Sequence, residues 1–219
     1  SESWESEHEI SASARGQFTR LLESKMMHQF DHRFATYEHQ SGADRRKSRP
    51  DRTSEAAYLD PTYESVSRFL VRVGALRDFR ENKGKGHQVI LGYRDVARST
   101  DERTMIACLL PDAIPVQPLN GLSCGSPRQS LTVLGILNSF ALDFSCRMKT
   151  PGIHVNVTIT RQLPYPKEEH FLDRTALEAD RFAAWAGERV LELSYTSNSL
   201  KEVCRDCGYD GPPFIWDDE

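Results

Sequence analysis

The sequence has no long apolar run, and this absence removes one class of protein. No stretch of about 18 consecutive apolar residues occurs, so the sequence predicts no membrane-spanning helix. The first ten residues are acidic and lack the basic start and apolar centre of a secretory signal. Only 38% of the residues are apolar, against 27% that are charged. We therefore expect a soluble, cytoplasmic protein without a membrane partner.

Cysteine is also scarce. Five cysteines are scattered along the chain, and an odd number of scattered thiols favours reduced cysteines over a disulfide framework. Cys204 and Cys207 form a C-x-x-C pair. A zinc site at this pair would lack ligands, because no second C-x-x-C and no closely spaced histidine pair accompanies it. Two incidental thiols are the favoured interpretation, and we predict no metal site and no cofactor in this chain.

The net charge is small, at −4, but it is unevenly distributed. Residues 25–103 carry +4, residues 104–166 carry +2 and residues 167–219 carry −7. Such an asymmetry is typical of a region that faces a polyanion and is attached to a part that faces solvent or protein. Ordinary variation of surface charge explains it equally well. Residues 41–56 contain Gly, Pro, Ser and five basic groups, with no apolar residue except two alanines, and are predicted to form a flexible basic loop.

Apolar patterning predicts several strands. Short apolar runs predict strands at residues 89–91 and within 103–111. Between residues 153 and 160, isoleucine and valine alternate with polar residues, which predicts another strand. Four prolines favour an irregular loop over residues 111–130.

Helical spacing predicts the remaining elements. Leucine and phenylalanine recur at helical spacing over residues 130–149, with Ser130 as the N-cap. Further helices are predicted after Pro166 and over residues 199–208, the last one ended by Gly208. Polar residues within the first helix, Asn138 and Arg147, are suited to capping and clamping the core.

These elements predict an α+β fold, in which a small twisted sheet with packed helices is followed by a helical C-terminal extension. We expect residues 1–56 to be an N-terminal connecting segment with the basic loop, and residues 57–166 to form the central domain. Residues 167–219 form the helical extension, and further polypeptide is expected beyond it.

The segment K-M-M-H-Q-F-D-H-R-F, residues 25–34, concentrates polar chemistry. If it is helical, His28 and His32 share one face as a metal pair does, with Asp31 as the nearest third ligand. The same polar face also presents donors that suit phosphate and base-edge contacts. A solvated polar face is the third interpretation, and the residues alone leave all three open. The polar face consists of Lys25, His28, Gln29, His32 and Arg33.

Four segments, in order, resemble one family. They are L-L-E-S-K-M-M-H-Q-F-D-H-R-F-A-T-Y-E at 21–38, L-G-Y-R-D-V-A-R at 91–98 continuing to 111, L-G-I-L-N-S-F at 134–140 continuing to 166, and the stretch 189–219. These segments are similar to the region downstream of the catalytic domain in large adenine-specific DNA methyltransferases. That group includes type IIG restriction-modification enzymes and the methylases of phage-defence systems such as BREX and DISARM.

The resemblance implies that residues 57–166 are a target recognition domain, which reads DNA sequence, followed by the start of a helical portion. The family usually has L-Y-E-G-K where this chain has Leu22, Glu23, Ser24 and Lys25. The chain contains neither the cofactor-binding F-x-G-x-G nor the catalytic N-P-P-Y of such methylases. Methyl transfer, with S-adenosylmethionine as donor, is therefore expected in a separate catalytic domain or subunit, and we expect double-stranded DNA as a partner.

For a recognition domain, arginine and lysine neutralise phosphates, while bidentate side chains read base edges. The family resemblance makes the polar side chains of residues 25–33 candidates for DNA contact. Expected phosphate contacts are Arg45, Arg46, Lys47, Arg49 and Arg52. Expected base or groove contacts are Arg94, Arg98, Arg103, His154, Asn156 and Gln162.

Two other functions stay open. The chain is alternatively a protein-docking module of a defence complex with no direct DNA contact, or a metal-dependent nuclease that uses His28, Asp31 and His32. In the segment D-E-R-T, Asp101 or Glu102 is also suited to pairing with a neighbouring arginine to hold a turn.

Overall fold

In the computed structural model, the described residues are 18–41, 49–75, 78, 90–111, 113–116, 118–166 and 175–215. Together they have a mixed α+β architecture with a helical C-terminal region, as the sequence predicts. None of their helices is both long enough and apolar enough to cross a lipid bilayer.

Three small sheets contain the strands of the described residues. One has the order β4-β1-β7, the second pairs β2 with β3, and the third has the order β6-β5-β8. The strands are β1 (Phe18–Glu23), β2 (Ala35–Thr36), β3 (Asp51–Arg52), β4 (Leu70–Arg72), β5 (Ile90–Arg94), β6 (Ala107–Leu110), β7 (Ile114–Val116) and β8 (Leu119–Ser123).

The predicted strands β5 and β6 are confirmed, and they pair antiparallel with Leu91 opposite Leu109. The prediction of an irregular loop over residues 111–130 is wrong, because β7 and β8 both lie within it. Strand β7 tolerates Pro115 because, among the described strands, it lies at the edge of its sheet and pairs with the parallel strand β1. Strand β8 completes the third sheet by pairing antiparallel with β5.

Helices and short 3-10 turns make up the rest. The helices are α1 (Glu55–Leu59), α2 (Pro127–Leu137), α3 (Phe140–Lys149), α4 (Val157–Thr160), α5 (Thr175–Ser194) and α6 (Lys201–Asp206), and the 3-10 turns are Ser24–Met26 and Asn198–Leu200. The predicted helices after Pro166 and near the C-terminus are confirmed as α5 and α6. Gly208, with a φ of +94°, ends the last helix in the left-handed conformation that glycine allows.

The single helix predicted over residues 130–149 is in fact two. Helix α2 begins earlier, where the Ser126 hydroxyl accepts from the Gln129 N–H at 3.2 Å and Pro127 occupies the first helical position. Ser139 then begins α3 by accepting from the Leu142 N–H at 3.2 Å. The serine cap at Ser139 therefore divides the helix that the apolar spacing predicted to be continuous.

The strand predicted from the alternation over residues 153–160 is also wrong. Only His154 forms a β-bridge, to Val96, and the chain then turns into the short helix α4. Asn156 causes the change, because its side-chain oxygen accepts from the Ile159 N–H at 3.0 Å and caps the helix. Val155 is buried while Val157 is exposed, so the alternation does not define a buried face.

Two apolar cores hold the described residues together. The larger one joins Leu91 and Leu134 to the C-terminal residues Val190 and Tyr195. The smaller one joins Met26, Met27 and Tyr37 to residues of β6 and β8. Residues from all three parts of the predicted division thus share cores, and the division itself stays a prediction.

Candidate nucleic-acid interface

The polar segment at residues 25–34 is not an α-helix, because the 3-10 turn Ser24–Met26 is followed by a tight turn at residues 28–31. The condition for a shared face of His28 and His32 is therefore not met. His28 and Asp31 exchange backbone hydrogen bonds of 2.7 and 3.2 Å across Gln29 and Phe30. Phe30 has a φ of +61°, and its N–H donates to the carbonyl of Ala107 in β6 at 2.9 Å. Because this turn reverses the chain, His28 and His32 do not share a helical face.

His32 lies in the interior, where 1% of it is exposed. Its Nε2 lies 3.0 Å from the Ser197 hydroxyl and 3.2 Å from the Ser199 hydroxyl. Burial holds the pKa of His32 well below its usual value, so the imidazole is neutral at physiological pH. The prediction that His32 contacts DNA is therefore corrected: it links the turn to the C-terminal region.

Arg33 is also corrected from a DNA contact to an interior residue, with 0% of it exposed. Its guanidinium donates to five backbone carbonyls and so ties the turn to α1, to the loop after it and to the C-terminal region. The acceptors are Ala57 (3.4 Å), Tyr58 (3.2 Å), Asp60 (2.9 Å), Tyr63 (3.2 Å) and Thr196 (2.7 Å).

The same turn does not bring His28, Asp31 and His32 together as the nuclease alternative requires. Asp31 accepts from the Tyr58 hydroxyl at 2.5 Å and from the Arg33 N–H at 2.8 Å, while His32 is bonded to serines. His28 instead stacks on Phe34. Among the residues that the structure describes, no group of three or more His, Cys, Asp or Glu side chains is placed to hold a metal ion.

A stack of aromatic and guanidinium groups forms the surface beside this turn. The rings of His28 and Phe34 stack with centroids 4.6 Å apart. The exposed guanidinium of Arg52 lies 3.7 Å from the centre of the Phe34 ring, and that of Arg94 lies 5.6 Å from it. Arg94 is fixed by a hydrogen bond to the carbonyl of Met27. Residues that are distant in sequence thus converge on one aromatic ring.

The pKa of His28 reflects both its burial and the positive charge of the neighbouring arginines. The pKa of His28 is lowered to about 4, first by burial and then by the guanidinium groups of Arg94, Arg52 and Arg103, against the opposing charge of Glu102. The imidazole is therefore neutral at pH 7, and the positive charge here comes from the arginines. Neutral His28 keeps one ring nitrogen as an acceptor and one as a donor.

Arg103 extends the surface to the first turn of α3. Its guanidinium lies 3.9 Å from the centre of the Phe140 ring and 3.8 Å from a carboxylate oxygen of Asp143. Gln29 contacts the residue just before the cap of α3, because its side-chain N–H donates to the Asn138 carbonyl at 3.4 Å. We call the set of His28, Phe34, Arg52, Arg94 and Arg103 the arginine patch.

The other predicted DNA contacts have mixed positions. Lys25 lies with its ammonium 5.7 Å from the centre of the Tyr37 ring, and burial lowers its pKa. Arg49 is exposed. Arg98 is exposed, and its turn is held by the Asp101 carboxylate, which accepts from the Arg98 backbone N–H at 2.8 Å, as the turn interpretation of D-E-R-T anticipates in part.

Three predicted base contacts lie around α4. His154 is exposed and its Nδ1 lies 3.1 Å from the Asp95 carboxylate. Asn156 uses its side chain as the helix cap, and Gln162 is exposed just after the helix. Arg45, Arg46 and Lys47 lie outside the described residues.

Sequence reasoning missed the aromatic members of this surface. Helical spacing placed Phe140 and Phe144 with the buried leucines, but both are exposed, because α3 is a separate helix that buries Leu142 and Cys146 instead. Phe34 is half-buried between His28 and Arg52 rather than within a core. No local sequence signal separates a ring that supports arginines from one that fills a core.

Comparison with protein-family models, with curated proteins and with solved structures gives no match for this chain. The functional interpretation is therefore argued from its residues and their geometry.

Proposed function

We propose that this chain is a cytoplasmic, DNA-reading region of an adenine-specific N6 DNA methyltransferase of a restriction-modification or phage-defence system. It binds double-stranded DNA, while S-adenosylmethionine and the methyl transfer belong to a separate catalytic domain or subunit. The resemblance of four ordered segments supports the family, and the arginine patch supports contact with a polyanion.

The observation that carries the proposal is the convergence of Arg52, Arg94 and Arg103, from three separate segments, on aromatic rings. In the described part of the chain, no ion pair joins Arg52 or Arg94 to a carboxylate. The exposed guanidinium of Arg52 rests on the Phe34 ring and keeps the N–H groups at its edge available, and these suit the oxygens of a phosphate. Arg94 uses one N–H group on the Met27 carbonyl and Arg103 faces Asp143, so these two add less free charge than Arg52 does. The rings hold the charges in place and thereby reduce the entropy that binding costs.

Salt-dependent binding of the chain to a labelled duplex of mixed sequence tests the proposal. Fluorescence anisotropy over about 50 to 200 mM salt gives the slope of log affinity against log salt, which is about −0.9 per neutralised phosphate. Arg52→Ala removes one exposed cation, so we expect weaker binding and a slope that is smaller in magnitude by about 1.

Arg205→Ala is the matched control, because Arg205 is an exposed arginine on α6 that pairs with Glu202. We expect this variant to keep the affinity and the slope of the unmodified chain. The protein-docking alternative gives the opposite outcome, with little affinity for duplex DNA and no effect of Arg52→Ala. That outcome rejects the proposed function.

A further inference from the structure

Helix α3 presents an apolar stripe to solvent along its whole length. Phe140, Phe144 and Met148 are spaced four residues apart and are 81%, 63% and 71% exposed. Residues at this spacing lie one above another on a single helix face. Phe140 is the most exposed of the three and is the first residue of the helix.

Phe140 differs from the other two residues in its neighbours. The guanidinium of Arg103 lies 3.9 Å from the centre of its ring, and Arg103 is close enough to His28 to lower its pKa. Asn138 lies two residues before Phe140, and its carbonyl accepts a hydrogen bond from Gln29, which lies in the same turn as His28. The Phe140 ring is therefore the exposed aromatic group at the margin of the arginine patch.

We infer that Phe140 contacts a nucleobase of the bound duplex, either stacking on an unstacked base or inserting between adjacent base pairs. This inference rests on the proposed function, since the arginine patch must first hold the DNA backbone. Apolar side chains such as phenylalanine enter base steps in this way, and stacking of a base on an aromatic ring is tolerant of sequence. Arg103 stacks on the Phe140 ring and keeps it oriented, and Asp143 in turn holds the Arg103 guanidinium at 3.8 Å.

The charge around Phe140 favours DNA over a protein partner as its ligand. Phe34 and Phe140 each carry a guanidinium on the ring, at 3.7 and 3.9 Å, so an aromatic and a cationic group lie side by side at both places. Bases stack on aromatic groups while phosphates pair with cations, and a nucleic acid offers both at short spacing. In the described residues, no guanidinium stacks on Phe144, which makes Phe144 and Met148 suitable for comparison.

Anisotropy with the same labelled duplexes tests this inference. Phe140→Ala removes a base contact and no charge, so we expect affinity to fall by about tenfold with the salt slope unchanged. Phe140→Trp keeps an aromatic ring and restores most of the affinity. Phe144→Ala and Met148→Ala, equally apolar truncations on the same helix face, bind as the unmodified chain does.

A second readout reports the base itself. The adenine analogue 2-aminopurine, placed at each position in turn of a duplex selected by the unmodified chain, becomes more fluorescent where it is unstacked. We expect an increase at one position with the unmodified chain and none with Phe140→Ala. Unchanged thermal unfolding of each variant shows that the fold is intact, as the exposure of Phe140 leads us to expect.

The outcomes separate the two proposals. If Arg52→Ala reduces the salt slope while Phe140→Ala keeps full affinity and the fluorescence increase, the proposed function stands and this inference is rejected. Equal losses for Phe140→Ala, Phe144→Ala and Met148→Ala also reject it, because the whole stripe then contacts the ligand. If the chain does not bind duplex DNA, both proposals fail.

Discussion

The sequence identifies Arg33 as a cation, but only its surroundings in the fold decide that it is a buried structural residue. A buried guanidinium is costly unless its donors find acceptors, and at Arg33 the two terminal nitrogens find them while the Nε–H has none among the described residues. Here five backbone carbonyls accept from it, and they come from α1, from the loop that follows it and from Thr196. Arg33 therefore stabilises the junction between the N-terminal turn and the C-terminal region.

We predict that Arg33→Met lowers the free energy of unfolding by about 3 kcal/mol or more. Methionine fills much of the same space but donates to none of the five carbonyls, and each hydrogen bond lost from a charged donor costs about 1.5 to 3 kcal/mol. Urea unfolding followed by circular dichroism measures the change. The exposed Arg205→Ala is the control and should shift stability by no more than about 0.5 kcal/mol. A loss of under 1 kcal/mol for Arg33→Met contradicts the structural role of Arg33.

At the scale of elements, the residue at the break between α2 and α3 binds the edge of the third sheet. Asn138 accepts from the Ala107 N–H at 3.0 Å and donates to the Ala107 carbonyl at 2.9 Å. Its amide thus completes the free edge of β6 as a further strand would. The expectation that Asn138 clamps the core is confirmed, and Arg147 likewise donates to the carbonyls of Ser99 and Glu102.

Asn138→Ala should lower the free energy of unfolding by about 2 kcal/mol, because it leaves the buried Ala107 N–H without its acceptor, while the Ala107 carbonyl keeps the Phe30 N–H as a donor. Hydrogen exchange at the Ala107 amide should accelerate in the variant. Asn156→Ala, which removes an exposed helix cap, is the matched comparison and should cost about 1 kcal/mol or less. Unchanged exchange at Ala107 in the Asn138 variant argues against this edge contact.

At the scale of the whole molecule, the C-terminal helices belong to the larger core. Their buried side chains pack with Leu91 and Leu134, and the backbone around Thr196 and Asn198 bonds to Arg33 and Pro61. Full burial of an aliphatic side chain contributes about 1.5 to 3 kcal/mol. The C-terminal contributors to this core include Val190, Leu191, Tyr195, Leu200 and Cys204.

A chain that ends at Pro166 should therefore lose its cooperative unfolding transition. Five buried side chains together contribute on the order of 10 kcal/mol, which is comparable to the total stability of about 5 to 15 kcal/mol of a folded domain. Near-ultraviolet circular dichroism and urea unfolding measure this. A chain that ends at Ile215 keeps all five and should unfold cooperatively. Cooperative unfolding of the shorter chain at an unchanged midpoint rejects the shared core and favours an independent extension.

The sequence by itself determined the elements whose signal is local. The apolar runs of β5 and β6, the helical composition of α5 and the glycine that ends α6 all act through neighbouring residues, so periodicity and capping chemistry identify them. The α+β class follows from the same signals. The charge asymmetry alone left its interpretation open, and three arginines of the middle region meet in the arginine patch.

Only the tertiary structure decided which polar residues face inward. His32 and Arg33 lie close to His28 in sequence. His32 and Arg33 are buried, whereas His28 stacks on Phe34 at the surface, because the turn at Phe30 sends the side chains in different directions. The alternation over residues 153–160 and the spacing over 130–149 were overridden by the caps Asn156 and Ser139. Burial and cap geometry depend on partners distant in sequence, and local pattern carries no information about those partners.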